Sequence, residues 1–390
     1  MPCWRLPVFW LLIHGLFLAR RGGLRSVLLL GLAALVAESM HSRVAANGKV
    51  PRRWMMGVAA LLVLLHGSYF VARLTHAPRL SDIGTTTLAA AELAFKGENP
   101  YTARIDEAAI AKLGPDFGGY KYLPVMPLVY APFGLMLGIS GILVTNLLLD
   151  LATAALVMAA AQTEGGEASG LLAVAAYLST PYILSELFAK GVTDLLPVAL
   201  LLCSLIATDR HPALAGFLAG LSVSAKLLPA LGALPAILPA RHRALFIAGL
   251  AVGLLPTLAA YLGARQAFLD NILRFNGLRP TDSSSWMKGL SPLVTDLGLA
   301  GLALAWIVLA ILALRYARRP AIRCGFVVLL LVAATLAGPG LRPNYTLWLI
   351  PFLAVALAGR NAAQPRPIPE QAQAFGNSAA PRIIDGGNDD

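Results

Sequence analysis

Residues 80–121 read LSDIGTTTLAAAELAFKGENPYTARIDEAAIAKLGPDFGGYK, set between an apolar run at 54–74 and an apolar, proline-rich block at 123–138. This is the longest polar interruption in a chain that is otherwise mostly lipid-soluble, and its length marks it as a working surface rather than a connector. Working outward from it, the composition sets the class. Hydrophobic residues make up 57% of the chain and charged residues 13%, with a mean hydropathy of +0.70, against roughly 25% charged residues in soluble domains. The repeated apolar runs are too long and continuous for barrel strands, so the chain reads as an all-α integral membrane protein.

Candidate spans lie near 54–74, 141–161, 170–187, 191–208, 244–264, 291–313, 321–338 and 345–359. The run 213–239 carries Lys226 and Pro229 in its middle, which fits two short legs meeting at SAKLLP better than one long span. The expected architecture is a helical bundle of about 10–12 membrane helices, some short or re-entrant. It occupies 54–359, with 75–122 as the first large outer loop carrying short surface helices. Residues 1–53 form a basic and apolar extension whose segments 6–19 and 26–40 read as interfacial helices, unless the true start is Met40 or later. Residues 360–390 are polar, proline-rich and expected to be disordered.

The net charge of +11 does not point to nucleic acid, because the basic residues sit in short clusters between apolar runs. Arg43, Lys49, Arg52 and Arg53 precede the first span, and RYARRPAIR occupies 315–323. Placing both clusters in the cytoplasm also places Arg210, His211, Arg241 and Arg243 inside if 213–239 is a hairpin. The loops at 75–140, 187–191, 265–290 and 338–344, with the tip at Lys226, then all face outward. Cys3, Cys203 and Cys324 have no disulfide or metal spacing, and no His-Glu-x-x-His or phosphate-loop pattern occurs.

Several residues stand out against this background. A helix is expected over Thr85–Lys96, ended by Gly97 and the turn Glu98-Asn99-Pro100-Tyr101. Asp82 just before it reads as a helix cap or as a general base toward a hydroxyl, and both can hold. Glu92 reads as part of a solvated face or as a helical pair with Lys96. Lys226, costly in lipid, either snorkels to the interface or meets a phosphate. Arg342 and Tyr345 in GPGLRPNYTLW either anchor at the interface or grip phosphate oxygens. In RFNGLRPTDSSSWMKG, Arg279 and Asp282 belong to a wet loop or a sugar pocket. Lys190 and Asp194, four residues apart, read as a local ion pair.

In this order the features resemble the GT-C superfamily of membrane glycosyltransferases, and most closely glycosyltransferase family 87, with its polyprenyl-phosphate-mannose-dependent α-mannosyltransferases. The resemblance rests on Asp82 after a span, GENPY at 97–101, YKYLPVMPLVYAPFG at 120–134, KGVTDLLPVALLL at 190–202, AGFLAGLSVSAKLLPALGALPAIL at 215–238 and RPNYTLWLIPFL at 342–353. The chain departs from the family pattern at Lys190 and Gly191, where a polar Gly-Gln usually stands, which bears on substrate class.

What the resemblance implies is inverting, metal-independent transfer of a sugar, mannose first, from a polyprenyl-phosphate donor to an acceptor hydroxyl at the outer face of a bacterial plasma membrane, with no cofactor. Asp82 would deprotonate the acceptor, and Lys226, Arg342 and Lys121 would neutralise the departing phosphate. Asn99, Tyr101, Arg279, Asp282 and Tyr345 would shape the substrate pocket. The acceptor would be a lipid, glycan or protein. A transporter or flippase of lipid-linked or polar substrates, and a non-catalytic membrane assembly partner, are the alternatives. The first would need internal repeats and a central polar pathway, neither evident in the sequence.

Overall fold

The computed structural model describes residues 52–75, 80–227, 231–237, 242–278, 291–336 and 345–360. The first long apolar run becomes α1, Arg52–Thr75. Its 24 residues span roughly 36 Å at 1.5 Å per residue. Next, α2 covers Asp82–Phe95, and α3 covers Glu107–Leu113 behind an Asp106 cap that accepts from Ala109 N at 2.9 Å. The proline-rich block folds as α4, Val125–Leu137, a helix too short to cross a bilayer upright.

α5, Ile139–Leu178, contains a sharp reversal at Gly166, where φ is +73°. That left-handed backbone suits glycine, and it folds the helix on itself so closely that a Cβ on Gly170 would lie 2.4 Å from Gln162. The expected span at 170–187 is therefore shorter. Helix ends at Leu178, and Pro181 begins a short turn that opens into a wide π turn over Leu184–Ala189. The remaining long helices are α6, Leu195–Ala207; α7, Pro212–Ala225; α8, Arg243–Gly253; α9, Leu255–Gly263; α10, Pro292–Tyr316; α11, Pro320–Leu336; and α12, Thr346–Arg360.

Among the described residues, three runs are long and apolar enough to cross a membrane, Ile139–Glu167, Arg243–Gly263 and Leu293–Ala313, with seven further apolar helices of 10–17 residues. The second and third runs expose Ile247, Leu255, Leu262, Leu297, Leu304 and Ile311. Apolar surface on that scale is a lipid-facing surface. No strand occurs among the described residues, and the chain is an all-α membrane protein.

Close backbone contact organises the centre. Gly216 and Gly220 on α7 face Gly249 and Gly253 on α8. A Cβ on Gly216 would lie 1.8 Å from Phe246 O, and one on Gly253 would lie 2.3 Å from Phe217 O. Small residues four apart let membrane helices pack this tightly. The two helices run parallel, since the Ser224 hydroxyl donates to Gly253 O at 2.9 Å and the Thr257 hydroxyl donates to Ser224 Oγ at 2.8 Å. Between them the chain must return the length of the bundle, and Gly232 on that return lies against Leu201 of α6 and Val327 of α11.

The two ends differ chemically. At one, the buried Arg323 guanidinium donates to Ala317 O (3.0 Å), Leu205 O (3.4 Å), Arg318 O (3.2 Å) and Asp209 Oδ1 (2.7 Å), tying the C-terminal ends of α6 and α10. This is the end of the basic segment 315–323. At the other end lie the start of α6, the end of α7, the end of α9, the start of α12 and α2. Within the helices, Asp150 accepts from the Tyr177 hydroxyl at 2.7 Å and lies 2.6 Å from His66 Nδ1, while His66 Nε2 donates to Leu178 O at 2.6 Å.

Candidate functional site

α7 ends at Ala225, and Lys226 at its C-cap turns to extended backbone, φ −155° and ψ 137°. The side chain does not reach for an interface. Its ammonium donates to Asp194 Oδ1 and lies 5.0 Å from the Tyr122 ring centroid and 5.1 Å from that of Trp348. Trp348 Nε1 donates to the same Asp194 oxygen at 3.0 Å, and Tyr345 stacks on Trp348 at 4.6 Å and 28°. Asp194 is wholly buried at 0%, whereas the Lys226 side chain keeps 12% of its surface open. A buried carboxylate thus backs a partly open ammonium between aromatic faces, where cation–π attraction adds to the ion pair.

Asp194 belongs to Lys226, and the expected pairing of Lys190 with Asp194 is replaced. Lys190 bonds both oxygens of Glu186 at 2.6 and 2.8 Å. The reason is local: Gly191 has φ +62°, so helical spacing does not carry across it.

Segment 120–122 separates two compartments. Tyr122 packs on Lys226, and Lys121 points elsewhere. The Lys121 ammonium donates to Phe117 O and to Asn271 Oδ1 at 2.5 Å and lies 4.7 Å from the Phe275 ring centroid. Its side chain is 8% exposed. Burial pushes its pKa down to about 8, with Asp106 pulling the other way. Asn271 in turn donates to Tyr101 O (3.2 Å) and Ala267 O (2.9 Å), fastening the segment between α2 and α3 to the segment after α9.

Tyr101 is buried, its hydroxyl donating to Tyr122 O at 3.0 Å and its ring 5.0 Å from Phe268. Asn99 Oδ1 accepts from Tyr101 N at 3.0 Å. Asn99, Tyr101, Tyr120, Pro124, Pro127 and Ala260 line a cavity of 320 Å³ at the C-terminal end of α2. It is walled mainly by carbon, with Glu98 and Asn99 at its polar side.

Asp82 stands at the opposite end of α2. The helix cap is Ser81, which accepts from Gly84 N at 3.4 Å, and Asp82 is the first helical residue, so the expected capping role passes one residue back. The exposed Asp82 carboxylate accepts from Ile83 N at 3.0 Å. Ser81 N donates to Lys190 O at 2.6 Å, and a Cβ on Gly84 would lie 2.6 Å from Gly191 O. The start of α2 is thereby fixed to the bend that leads into Asp194, at the same end of the bundle as Lys226. Glu92 is exposed on the solvated face of α2, and among the described residues it forms no ion pair with Lys96.

Arg342, Arg279 and Asp282 lie outside the described residues. Of the others, the structure gathers Lys226 and Tyr345 around Trp348, gathers Asn99 and Tyr101 at the cavity, and sets Lys121 apart from Lys226. Asp194 and Trp348 escaped the sequence reading as partners of Lys226. A carboxylate just before an apolar helix and an indole in the first turn of another were the available signals.

Comparison with known proteins bears on this arrangement. Two crystal structures of ArnT from Cupriavidus metallidurans share the fold. The one bound to undecaprenyl phosphate has a TM-score of 0.56 and 17% identity, covering 83% of this chain and 63% of that one. The apo one has a TM-score of 0.53 and 19% identity, covering 82% and 62%. The chain thus spans less than two thirds of ArnT's length. No curated protein matches the chain. Residues 120–359, which include Lys121, Asp194, Lys226, Tyr345 and Trp348, match glycosyltransferase family 87. Over that length, well more than half the sequence, the chain belongs to glycosyltransferase family 87.

Proposed function

We propose that the protein transfers a sugar, mannose first, from a polyprenyl-phosphate donor to an acceptor hydroxyl at the outer face of a multi-pass bacterial plasma-membrane domain. The observation that carries this reading is the Lys226 ammonium, set between Tyr122 and Trp348 on a side chain that keeps 12% of its surface open. A compact cation in a water-poor socket suits the charge that develops on a departing phosphate. The undecaprenyl phosphate in the ArnT crystal supports the donor class, and family membership favours a transferase over a transporter or an assembly partner.

In this scheme the acceptor oxygen attacks the anomeric carbon, the bond from that carbon to the phosphate oxygen breaks, and the configuration inverts in a single displacement. Asp82 takes the hydroxyl proton. Lys226 pairs with the released polyprenyl phosphate, assisted by Arg342, so that side-chain cations supply the charge a metal would otherwise bring; Lys121, held by Asn271 on the other side of segment 120–122, braces the neighbouring loop instead. Asn99, Tyr101, Arg279, Asp282 and Tyr345 form the walls for sugar and acceptor.

The test is transfer of labelled mannose from polyprenyl phosphate by the full chain in lipid nanodiscs, compared with Lys226→Gln. Loss of transfer by at least about 100-fold in a variant that elutes as the parent does supports the reading. Unaltered turnover in that variant refutes it.

A further inference from the structure

Behind Lys226, the group proposed to meet phosphate, stands a wholly buried partner. Asp194, at 0% exposure, accepts from both Lys226 Nζ and Trp348 Nε1 through one oxygen. We infer that Asp194 is the positioning residue of the anion site: its carboxylate holds the Lys226 ammonium fixed between Tyr122 and Trp348, so that Lys226 and the indole are presented to a phosphate as one unit. This inference rests on the proposed role of Lys226.

The physical argument begins with solvation. An ammonium enclosed by two rings loses much of its hydration, and desolvation alone drives a lysine toward its neutral form, by up to about 3–5 pKa units when burial is complete. A neutral amine would bind phosphate poorly. A carboxylate in contact reverses that pressure, and one buried behind the lysine does so without meeting the ligand directly. The indole N–H fixes which oxygen faces Lys226, and Tyr345 stacked on Trp348 holds the indole in place.

The other groups around the pair are consistent with this assignment. Tyr122 presents its ring to Lys226. The Tyr130 hydroxyl donates to Asn146 and feels the Asp194 charge. Asn146 in turn donates to Leu187 O and Val192 O, bracing the segment that leads to Asp194. Lys190 is held by Glu186 and Lys121 by Asn271, so Asp194 is the carboxylate assigned to Lys226.

The experiment measures binding of undecaprenyl phosphate to the full chain in nanodiscs between about pH 6 and about pH 9, for the parent, Asp194→Asn, Asp194→Glu and Lys226→Gln. Taking each variant's affinity relative to the parent at the same pH cancels titration of the phosphate itself. Asp194→Asn is expected to bind within a few-fold of the parent at the acid end and to lose about 10-fold or more toward the alkaline end, as its unpaired lysine deprotonates. Asp194→Glu restores a flat ratio. A merely structural role would lower affinity evenly across pH.

If Asp194→Asn follows the parent at every pH while Lys226→Gln loses binding, the inference fails and the phosphate role of Lys226 stands. If Lys226→Gln binds as the parent does, the phosphate role itself fails. Should Asp194→Asn not fold, amine acetylation of the parent decides. Protection of Lys226, with the more exposed Lys190 labelled, supports a fixed, enclosed ammonium, and ready labelling of Lys226 overturns it.

Discussion

Replacing Gly216 by alanine probes how packing in the bundle reaches Lys226. The added Cβ would lie 1.8 Å from Phe246 O and 2.7 Å from the Phe246 carbonyl carbon. Ordinary approach of such atoms is about 3.5 Å, and the obstruction is backbone, which cannot rotate aside. α7 and α8 must therefore part by roughly 1.5 Å, at a cost near or above the upper end of the ~1–3 kcal/mol typical of overpacking. The displacement travels along α7 to its C-cap, which is Lys226. Misplacement of a binding group by about 1 Å can cost about 100-fold in rate.

Gly216→Ala should therefore lower the unfolding temperature in detergent and depress transfer in the fraction that remains folded. The control is Gly301→Ala on α10, where a Cβ meets nothing within 4 Å. There the helix should gain about 0.5–1 kcal/mol. Equal unfolding temperatures and equal transfer for Gly216→Ala and the parent would refute both the tight packing and its link to Lys226.

Ser81 and Asp82 should separate by assay: Ser81→Ala removes the α2 cap and costs about 1 kcal/mol of stability, whereas Asp82→Asn should abolish transfer with little change in unfolding temperature. Retained transfer in Asp82→Asn would end the general-base assignment. Lys121 gives a pH dependence of unusual sign. Its folded pKa, about 8, lies below the ordinary 10.5, so between those values the unfolded chain binds more protons and stability rises with pH, by at most about 3 kcal/mol. Lys121→Met should flatten that rise in thermal unfolding measured from about pH 8 to about pH 10, and an unchanged slope would count against burial as its cause. If side-chain cations alone balance the leaving phosphate, EDTA should leave transfer unchanged; loss of activity restored by a divalent cation would overturn that part of the scheme.

Much of the architecture was readable because apolarity and proline act locally. The run at 54–74 became α1 over Arg52–Thr75, and the polar stretch after it produced a helix ended at Gly97, where φ is +77°. The break at Lys226 marked the end of α7 because neither a lysine nor the proline that follows continues an apolar helix comfortably. What could not be read was pairing at a distance. Lys226 and Asp194 are 32 positions apart, and helical spacing offered Asp194 a nearer, wrong partner in Lys190. Ser81 and Asp82 are both good caps, and only backbone geometry distinguishes the first from the second. The mutual fit of four glycines on α7 and α8 likewise depends on two helices running parallel, which neither helix states alone.

The parallel course of α7 and α8 has a consequence for how the chain is made. Two consecutive parallel helices require the segment from 226 to 242 to double back, so on the outer-face assignment the apex lysine is carried through the bilayer on a hairpin. A lone lysine at mid-membrane costs about 2.5–3.5 kcal/mol on insertion scales. Asp194 is made earlier in the chain, and the order of synthesis places a carboxylate at the destination before Lys226 sets out. On that assignment the partner of Lys226 precedes it in the order of synthesis, and α8, which closes against α7, follows it.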